Sequence, residues 1–495
     1  MHRMKISTGL IVGLLASSTM AQTPTPSPPA PSLQQRLLAM AGPIDSVWTS
    51  AQTETMRRIR DAAMKDDYAY ARLTYLSDVI GARPGGSSQA QATVSYIAEQ
   101  MRALGATVRL EPTTASHWVR GVETAALTNW AGMPGGASQK IIVTALGNST
   151  ATSPSGLLAP VIVVDSFAAL RALPTGAVSG KIVLFNYPFD KDLVSNGLGI
   201  EAYSKSAVYR VVGPAIASKM GAAAVLVRTV ADADYRMPHT GAALFPDGLK
   251  PLPVAAITAE DAELIARLSR RGSVSMRLVL TPSTLPPIHS FNVIADWPGS
   301  QAPQEVVLVS GHLDSWDLGT GALDDAAGLV IAMETIRLMK TLNVHPKRTI
   351  RFVGWMDEEM GSPGARTYLQ DPENAAIDHV AVLETDRGAD RSEGILFSGS
   401  PKLGEYLAPV SEVLNPIGAS LAVADTEIGE DVSGLMARGT PGFAPAQDLR
   451  TYFRYHHSAA DTLDKVDAIQ LAQSAAVNAV AAYALADAPV RPPKQ

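Results

Sequence analysis

The sequence contains no cysteine, and this absence excludes several kinds of protein. A cysteine protease, a zinc site built on thiolates and a lipidated N-terminal cysteine are all ruled out. Disulfide bonds cannot contribute to stability, so the folded chain must depend on the size of its core. Any metal ion that the protein holds must be bound by histidine, aspartate and glutamate side chains.

Excess positive charge is also absent. The chain has 41 Lys and Arg against 47 Asp and Glu, a formal net charge of -6, and no polybasic segment. This balance argues against a nucleic-acid partner. The 46% hydrophobic and 18% charged composition is typical of globular proteins. A length of 495 residues exceeds what one core usually covers, which indicates two folded units.

Long apolar runs are missing beyond the N-terminus. His2, Arg3 and Lys5 precede an apolar run at 6–15 that is too short to span a bilayer, and small residues follow up to Ala21. Residues 1–21 are therefore predicted to be a cleaved secretory signal, although an uncleaved anchor or a buried helix would also fit. We expect a secreted or periplasmic protein without membrane contact after cleavage. Residues 22–32 form a tether rich in Pro, Ser and Thr.

The middle of the chain differs from its two flanks in its residue pattern. Short buried-strand patterns at 161–164, 181–185 and 254–257 are separated by Gly and Pro, and no group of metal ligands occurs there. We predict an inserted, non-catalytic domain at 148–284. Residues 33–147 and 285–495 would then form the main domain.

After this region, buried strands alternate with helices. Strands are predicted at 305–310, 349–355 and 379–383, and helices at 325–340 and 468–486. Such alternation favours an α/β sheet covered by helices on both faces. His312 follows the first of these strands, Glu358 and Glu359 follow the second, and Asp386 follows the third. Because ligands bind at the carboxyl ends of the strands in such sheets, we expect these residues to converge.

Imidazole and carboxylate groups suit zinc, and two neighbouring zinc ions need a carboxylate between them. Asp324, at the start of a helix, is our choice for that bridge. Asp314 is placed to accept a hydrogen bond from the second ring nitrogen of His312. Since adjacent side chains diverge, Glu358 and Glu359 are interpreted as one base and one ligand. The surplus carboxylate makes the predicted site catalytic.

Four segments, at 311–328, 357–361, 384–388 and 456–462, resemble the di-zinc aminopeptidase and glutamate carboxypeptidase family, and its carboxypeptidase Q branch in particular. The likeness covers most of the mature chain, and residues 238–241 resemble a protease-associated domain. The resemblance implies a mixed, mostly parallel sheet sandwiched by helices, the zinc exopeptidase fold, with a smaller protease-associated β/α insert. It also implies a homodimer and a short peptide as substrate.

Carried over residue by residue, the resemblance implies two zinc ions per chain and Glu358 as general base. The implied ligands are His312, Asp324 and Asp386 for one ion, and Asp324, Glu359 and His457 for the other. His457 is preferred to His456 because the family's ligand stands four residues before an acidic residue, here Asp461. Asp357 stands where the family often has alanine. Its charge would either raise the pKa of Glu358 or point into solvent.

Several residues have simpler interpretations. Asp325 is predicted to cap a helix, His456 to pack near the site, and His239 to have a structural role in the insert. The Asn148 sequon matters only in a host that glycosylates.

The sequence thus predicts an exported zinc exopeptidase that hydrolyses dipeptides or short peptides. A non-catalytic, receptor-like binding protein on the same scaffold is the alternative, and a single-zinc relative that cyclises N-terminal glutamine is a third possibility. No residue can be assigned to reading a free amine or a free carboxylate.

Overall fold

The computed structural model describes residues 46–494. The predicted signal at 1–21, the tether at 22–32 and the start of the main domain at 33–45 lie outside the described residues. The described part confirms the α/β class, because helices pack around two eight-stranded sheets.

The strands of both sheets follow one another along the chain with helices between many of them. In chain order they are β1 (Thr107–Val119), β2 (Glu123–Asn129), β3 (Gln139–Ile141), β4 (Val143–Ala145), β5 (Leu157–Val164), β6 (Ile182–Phe185), β7 (Ala224–Arg228), β8 (Val254–Ile257), β9 (Ser275–Leu280), β10 (Ser283–Trp297), β11 (Ala302–His312), β12 (Arg348–Trp355), β13 (Asp378–Glu384), β14 (Ser392–Ser398), β15 (Leu421–Ala424) and β16 (Gly442–Gln447).

The α-helices vary from one turn to more than five. They are α1 (Ser50–Ala63), α2 (Tyr68–Thr74), α3 (Ser88–Leu104), α4 (Phe167–Arg171), α5 (Lys191–Ser195), α6 (Gly199–Val211), α7 (Gly213–Lys219), α8 (Ala259–Ser269), α9 (Ala327–Thr341), α10 (Pro363–Gln370), α11 (Pro372–Ala375), α12 (Leu403–Leu414), α13 (Ser433–Met436) and α14 (Ala468–Asp487). Short π-helical segments cover Tyr75–Ile80 and Ala322–Ala326, and 3₁₀ turns cover Glu358–Met360, Asn415–Ile417, Tyr452–Arg454 and Leu463–Lys465.

The first sheet has the order β1-β10-β12-β11-β13-β16-β14-β15. Its centre is parallel, because β12, β11, β13 and β16 all run in one direction. The strands β10 and β14 join this centre in antiparallel pairs, so the sheet is mixed, as predicted. All eight residues of β12 are buried, as expected for a parallel strand covered on both faces.

Helix α14 packs against α1 and α9 in the core. It is the one helix of the described residues that is long and apolar enough to cross a membrane, yet 78% of its most apolar window is buried inside the protein. Burial on all sides explains why its sequence is apolar around the whole circumference.

The second sheet has the order β3-β2-β9-β5-β6-β7-β8-β4 and takes its strands from residues 123–280. The three strands of this sheet that come first along the chain, β2, β3 and β4, therefore precede residue 148, where the sequence placed the start of the insert. The loop at 147–150 lies beside this sheet, and Gly147 forms a bridge with Ala242. The domain boundaries and the protease-associated character of this region remain predictions.

The long antiparallel pair of β1 and β10 was not predicted. Pro286 and Pro287 were interpreted as a domain boundary, but they lie within β10, where the register with β1 shifts between Ala115 and His117. Proline lacks a backbone donor and is tolerated at such bulges and on edges.

Candidate metal centre

Three neighbouring strands of the first sheet end at the same edge. His312, the last residue of β11, lies opposite Trp355 of β12, and Ser310 lies opposite Glu384 of β13. The segments that follow these strands therefore emerge side by side, and the convergence expected from the sequence is observed.

The imidazole of His312 is held from both sides and is 1% exposed. Its Nδ1 lies 3.0 Å from the backbone carbonyl oxygen of Asp314, which can accept the ring proton. Its Nε2 lies 3.1 Å from Oδ1 of Asp324 and 3.8 Å from Oδ1 of Asp386. The ring thus presents Nε2 to two carboxylates, the orientation that a metal ligand needs.

The Asp324 carboxylate lies between two imidazoles. Its Oδ1 faces His312, and its Oδ2 is 3.1 Å from Nε2 of His457. The Asp324–Asp325 peptide bond is cis. The buried carboxylate of Asp461 accepts the backbone N–H groups of Leu323 at 2.6 Å and Asp324 at 3.2 Å, and so fixes this segment.

Glu359 is the second carboxylate that faces His457. Its Oε2 lies 3.0 Å from Nε2 of His457, so this imidazole faces the carboxylates of both Glu359 and Asp324. His312, Asp324 and Glu359 place ligand atoms within 4.8 Å of one another. The buried Oε1 of Glu359 has no hydrogen-bond partner, and Oδ2 of Asp324, although 3.1 Å from Nε2 of His457, makes no hydrogen bond of acceptable angle. The nitrogen and oxygen donors and these unpaired oxygens fit bound zinc.

The carboxylate of Asp314 has a different partner from the one predicted. Its Oδ1 is 3.8 Å from Nδ1 of His312, and the backbone carbonyl of Asp314 takes that ring proton instead. The carboxylate accepts three backbone N–H groups, from Asp357 at 2.7 Å, Glu358 at 3.0 Å and Glu359 at 3.3 Å. Asp314 therefore fixes the segment that carries the predicted base and a predicted ligand.

Asp357 is buried, so the predicted alternative in which its side chain points into solvent is wrong. Its Oδ2 accepts the backbone N–H of Ser116 at 2.7 Å. Burial, aided by the nearby Asp314 charge, raises the pKa of Asp357 to about 8. A Cβ at Gly85 would collide with this carboxylate, so the glycine loop makes room for it.

Glu358 and Asp386 are partly exposed, whereas the other predicted site residues are buried. These two carboxylates are therefore the members of the predicted site that solvent contacts. Desolvation by the surrounding protein raises the pKa of Glu358 well above its ordinary value, and the negative charges of Glu359, Asp386 and Asp314 act in the same direction.

The structure places Asp325 and His456 beside the cluster, where each also belongs to a group whose possible ligand atoms lie within 4.8 Å of one another, so their simpler interpretations stay predictions. Asp325 accepts the backbone N–H of Gly328 at 3.1 Å near the start of α9, and the backbone N–H of His312 at 2.9 Å. His456 stacks on His457 with ring centroids 3.7 Å apart, and its Nε2 is 3.4 Å from Oδ2 of Asp324.

Arg83 supports the site and was not identified from the sequence. It is fully buried, and its guanidinium donates to four backbone carbonyls, those of Gly81, Leu313, Thr320 and Gly321. Three of these bonds fix the segment between His312 and Asp324. An arginine in a Gly- and Pro-rich loop is normally interpreted as a surface residue, and nothing in the pattern indicates its burial.

Comparison with known proteins agrees with this geometry. The signature of Peptidase family M28 matches residues 292–482. Carboxypeptidase Q from Homo sapiens is 37% identical over 421 residues, which cover 85% of this chain and 85% of the relative. The crystal structure of a Peptidase M28 precursor from Shewanella amazonensis SB2B has a TM-score of 0.82 at 32% identity, covering 90% of this chain and 99% of that chain. A zinc aminopeptidase from Bacillus subtilis shares the fold, with a TM-score of 0.59 at 20% identity over 84% of this chain and 94% of its own.

The fold and the site define a zinc-dependent metallo-exopeptidase, a hydrolase. The chain belongs to Peptidase family M28, and within this family it is similar to carboxypeptidase Q. These relatives are peptidases, which favours the enzyme over the non-catalytic binding protein and the glutamine-cyclising relative.

Proposed function

We propose that the protein hydrolyses dipeptides or short peptides at a centre that holds two zinc ions. The observation that carries this proposal is the position of Asp324, whose two carboxylate oxygens face Nε2 of His312 and Nε2 of His457. A carboxylate placed in this way can serve two metal ions at once.

The proposed ligands are His312, Asp324 and Asp386 for one ion, and Asp324, Glu359 and His457 for the other. Bound zinc would act as a Lewis acid and lower the pKa of water at the site. Glu358 would take the proton from the attacking water and return it to the leaving amine. Asp314 would keep Glu358 in place through the backbone bonds described above. General acid–base catalysis of this kind contributes about 10²- to 10⁴-fold.

A cleft of about 730 Å³ lies next to the proposed site. It is lined by Arg387, the residue after Asp386, by Leu421 and Val423 of β15, and by Leu198 and Ile200. Neither Glu358 nor any proposed metal ligand lines this cleft, which adjoins the site through Arg387.

Glu358→Gln tests the proposed base. The amide cannot take up the proton, so turnover should fall by about 10²- to 10⁴-fold while zinc per chain, measured by atomic absorption, stays as in the parent protein. Glu99→Gln, on the exposed face of α3, is the matched control and should leave turnover unchanged. Near-normal turnover in Glu358→Gln would contradict the assigned role.

Substrate preference requires a separate experiment. Free dipeptides should be compared with N-blocked and C-amidated analogues of the same sequence, with and without chelator. Loss of hydrolysis on blocking the amine would indicate an aminopeptidase or dipeptidase. Loss on amidation would indicate a reader of the free carboxylate.

We further propose that the mature protein is exported and dimeric. Support comes from the sequence pattern at 1–21 and from the carboxypeptidase Q-like segments. Size-exclusion chromatography with light scattering would measure the dimer, and N-terminal sequencing of the exported protein would locate the cleavage site.

A further inference from the structure

The segment Pro238–Gly241, between β7 and β8 of the second sheet, runs beside the two consecutive histidines of the metal centre. The backbone N–H of Thr240 donates to the carbonyl oxygen of His457 at 2.8 Å. Nδ1 of the buried His239 lies 2.5 Å from the carbonyl oxygen of His456. His239 and Thr240 thus contact the backbone carbonyls of His456 and His457. The region that carries the second sheet therefore contacts the backbone of His457, a proposed zinc ligand.

The side chain of His457 is contacted from the same direction. Its Nε2 faces Asp324 and Glu359, while its Nδ1 lies 3.4 Å from the carbonyl oxygen of Thr240. Arg210 of α6 donates from Nη1 to the same carbonyl at 3.3 Å, and this nitrogen is also 3.4 Å from Nδ1 of His457. The far side of the imidazole is therefore enclosed by one carbonyl and one guanidinium.

Arg210 is buried without a carboxylate partner. It is 6% exposed, and among residues 46–494 no ion pair involves it. Its Nη2 donates to the hydroxyl of Tyr203 at 2.6 Å, and its Nε is buried with no partner. The guanidinium also lies over the ring of Tyr203, 5.3 Å from its centre, and this contact offsets only part of the free energy that burying a cation without a carboxylate partner costs.

Gly241 makes this arrangement possible. Its φ of +129° lies outside the range that residues with side chains readily adopt, and an added Cβ would collide with the guanidinium of Arg210. The backbone of the segment can therefore approach Arg210 only because residue 241 is glycine.

We propose that Arg210 and the carbonyl of Thr240 are positioning groups for His457, so that the region carrying the second sheet completes the metal centre. This inference rests on the proposed function, in which His457 is a zinc ligand. Thr240 accepts the Nδ1 proton, which leaves Nε2 free for zinc, and Arg210 fixes the carbonyl and restricts the ring. Groups that orient a ligand in this way typically contribute about 10- to 100-fold to metal affinity.

The test is zinc affinity, measured by competition with a chelator for the full-length protein. Arg210→Gln removes the charge and the fork, Arg210→Lys keeps the charge and can reach one partner, and Gly241→Ala displaces the guanidinium without removing it. We expect about 10- to 100-fold weaker binding of one of the two zinc ions in Arg210→Gln and Gly241→Ala, with partial rescue in Arg210→Lys.

Arg228→Gln is the matched control, because Arg228 belongs to β7 of the same sheet and pairs with Glu263. It should bind zinc as the parent protein does. The unfolding temperature of the metal-free proteins separates a folding defect from a loss of positioning. Metal-free Arg210→Gln should unfold no earlier than metal-free Arg228→Gln.

Two results would overturn the inference. One is parent-like zinc affinity in both Arg210→Gln and Gly241→Ala, while His457→Ala binds zinc more weakly. The other is an equal loss of affinity in Arg210→Gln and Arg228→Gln. If His457→Ala retained both zinc ions at parent affinity, the ligand assignment in the proposed function would itself be wrong, and this inference would fail with it.

Discussion

Replacing Asp314 with asparagine should slow catalysis more than it weakens zinc binding. In the parent protein the carboxylate accepts three backbone N–H groups at 2.7, 3.0 and 3.3 Å. Hydrogen bonds to a charged group contribute about 1.5–3 kcal/mol each, against about 0.5–1.5 kcal/mol for neutral ones. The amide keeps one acceptor oxygen and turns an NH₂ group towards the N–H of Glu359. Neutral asparagine costs less to bury, which offsets part of this loss.

The net change is therefore about 1–3 kcal/mol in the positioning of the segment that carries Glu358. If that free energy appears in the transition state, kcat falls by roughly 10- to 100-fold, since about 1.36 kcal/mol corresponds to a factor of ten. The assay is kcat on a dipeptide together with chelator competition for zinc. Asp61→Asn, at an exposed position of α1, serves as control.

The opposite pattern would refute this reasoning. If Asp314→Asn lost zinc affinity but kept the kcat of the zinc-loaded enzyme, the carboxylate would act on His312, as the sequence first indicated. A parent-like value of both quantities would mean that the three backbone bonds do not position the base.

Three further outcomes follow from the structure. Gly328→Ala should lower the free energy of unfolding by about 3 kcal/mol or more, because the added Cβ would collide with the carbonyl oxygen of Thr385. An unchanged midpoint in urea unfolding would contradict this. Burial lowers the pKa of His379 to about 4, so the unfolded chain binds a proton between pH 6.5 and 4 that the folded protein does not. The free energy of unfolding should therefore fall by about 3 kcal/mol as the pH is lowered from 6.5 to 4. His379→Gln keeps an acceptor for the Tyr368 hydroxyl and should flatten this fall, as measured by urea unfolding at both pH values. Removing zinc with a chelator should lower the unfolding free energy by about 2.7 kcal/mol relative to zinc at one hundred times its Kd, and an unchanged midpoint would argue against a folded-state site.

The sequence predicted the parts of the site that depend on parallel strands. His312, Glu359 and Asp386 follow buried strands of a recognisable pattern, and parallel strands bring their carboxyl ends to one edge. The bridge at Asp324 was predicted from a chemical requirement, and the structure places this carboxylate between two imidazoles. These inferences needed only local patterns and general coordination chemistry.

Other features could not be predicted, because they depend on contacts between distant segments. The partners of Asp314 are backbone groups beyond the next strand, and no side-chain pattern marks them. Arg83 and Arg210 are charged residues that become buried only through the fold. The pairing of β1 with β10 joins segments more than 160 residues apart, and two prolines hide it from pattern analysis.

That same pairing determines how the chain can be divided. Val119, at the end of β1, lies opposite Ser283, at the start of β10, so the polypeptide leaves the first sheet and returns to it at one point. A short hairpin turn could therefore replace everything between them without stretching the first sheet. Such a shortened enzyme would also lack Arg210 and Thr240. The deletion that disturbs the first sheet least would therefore also remove the groups that we propose to position His457.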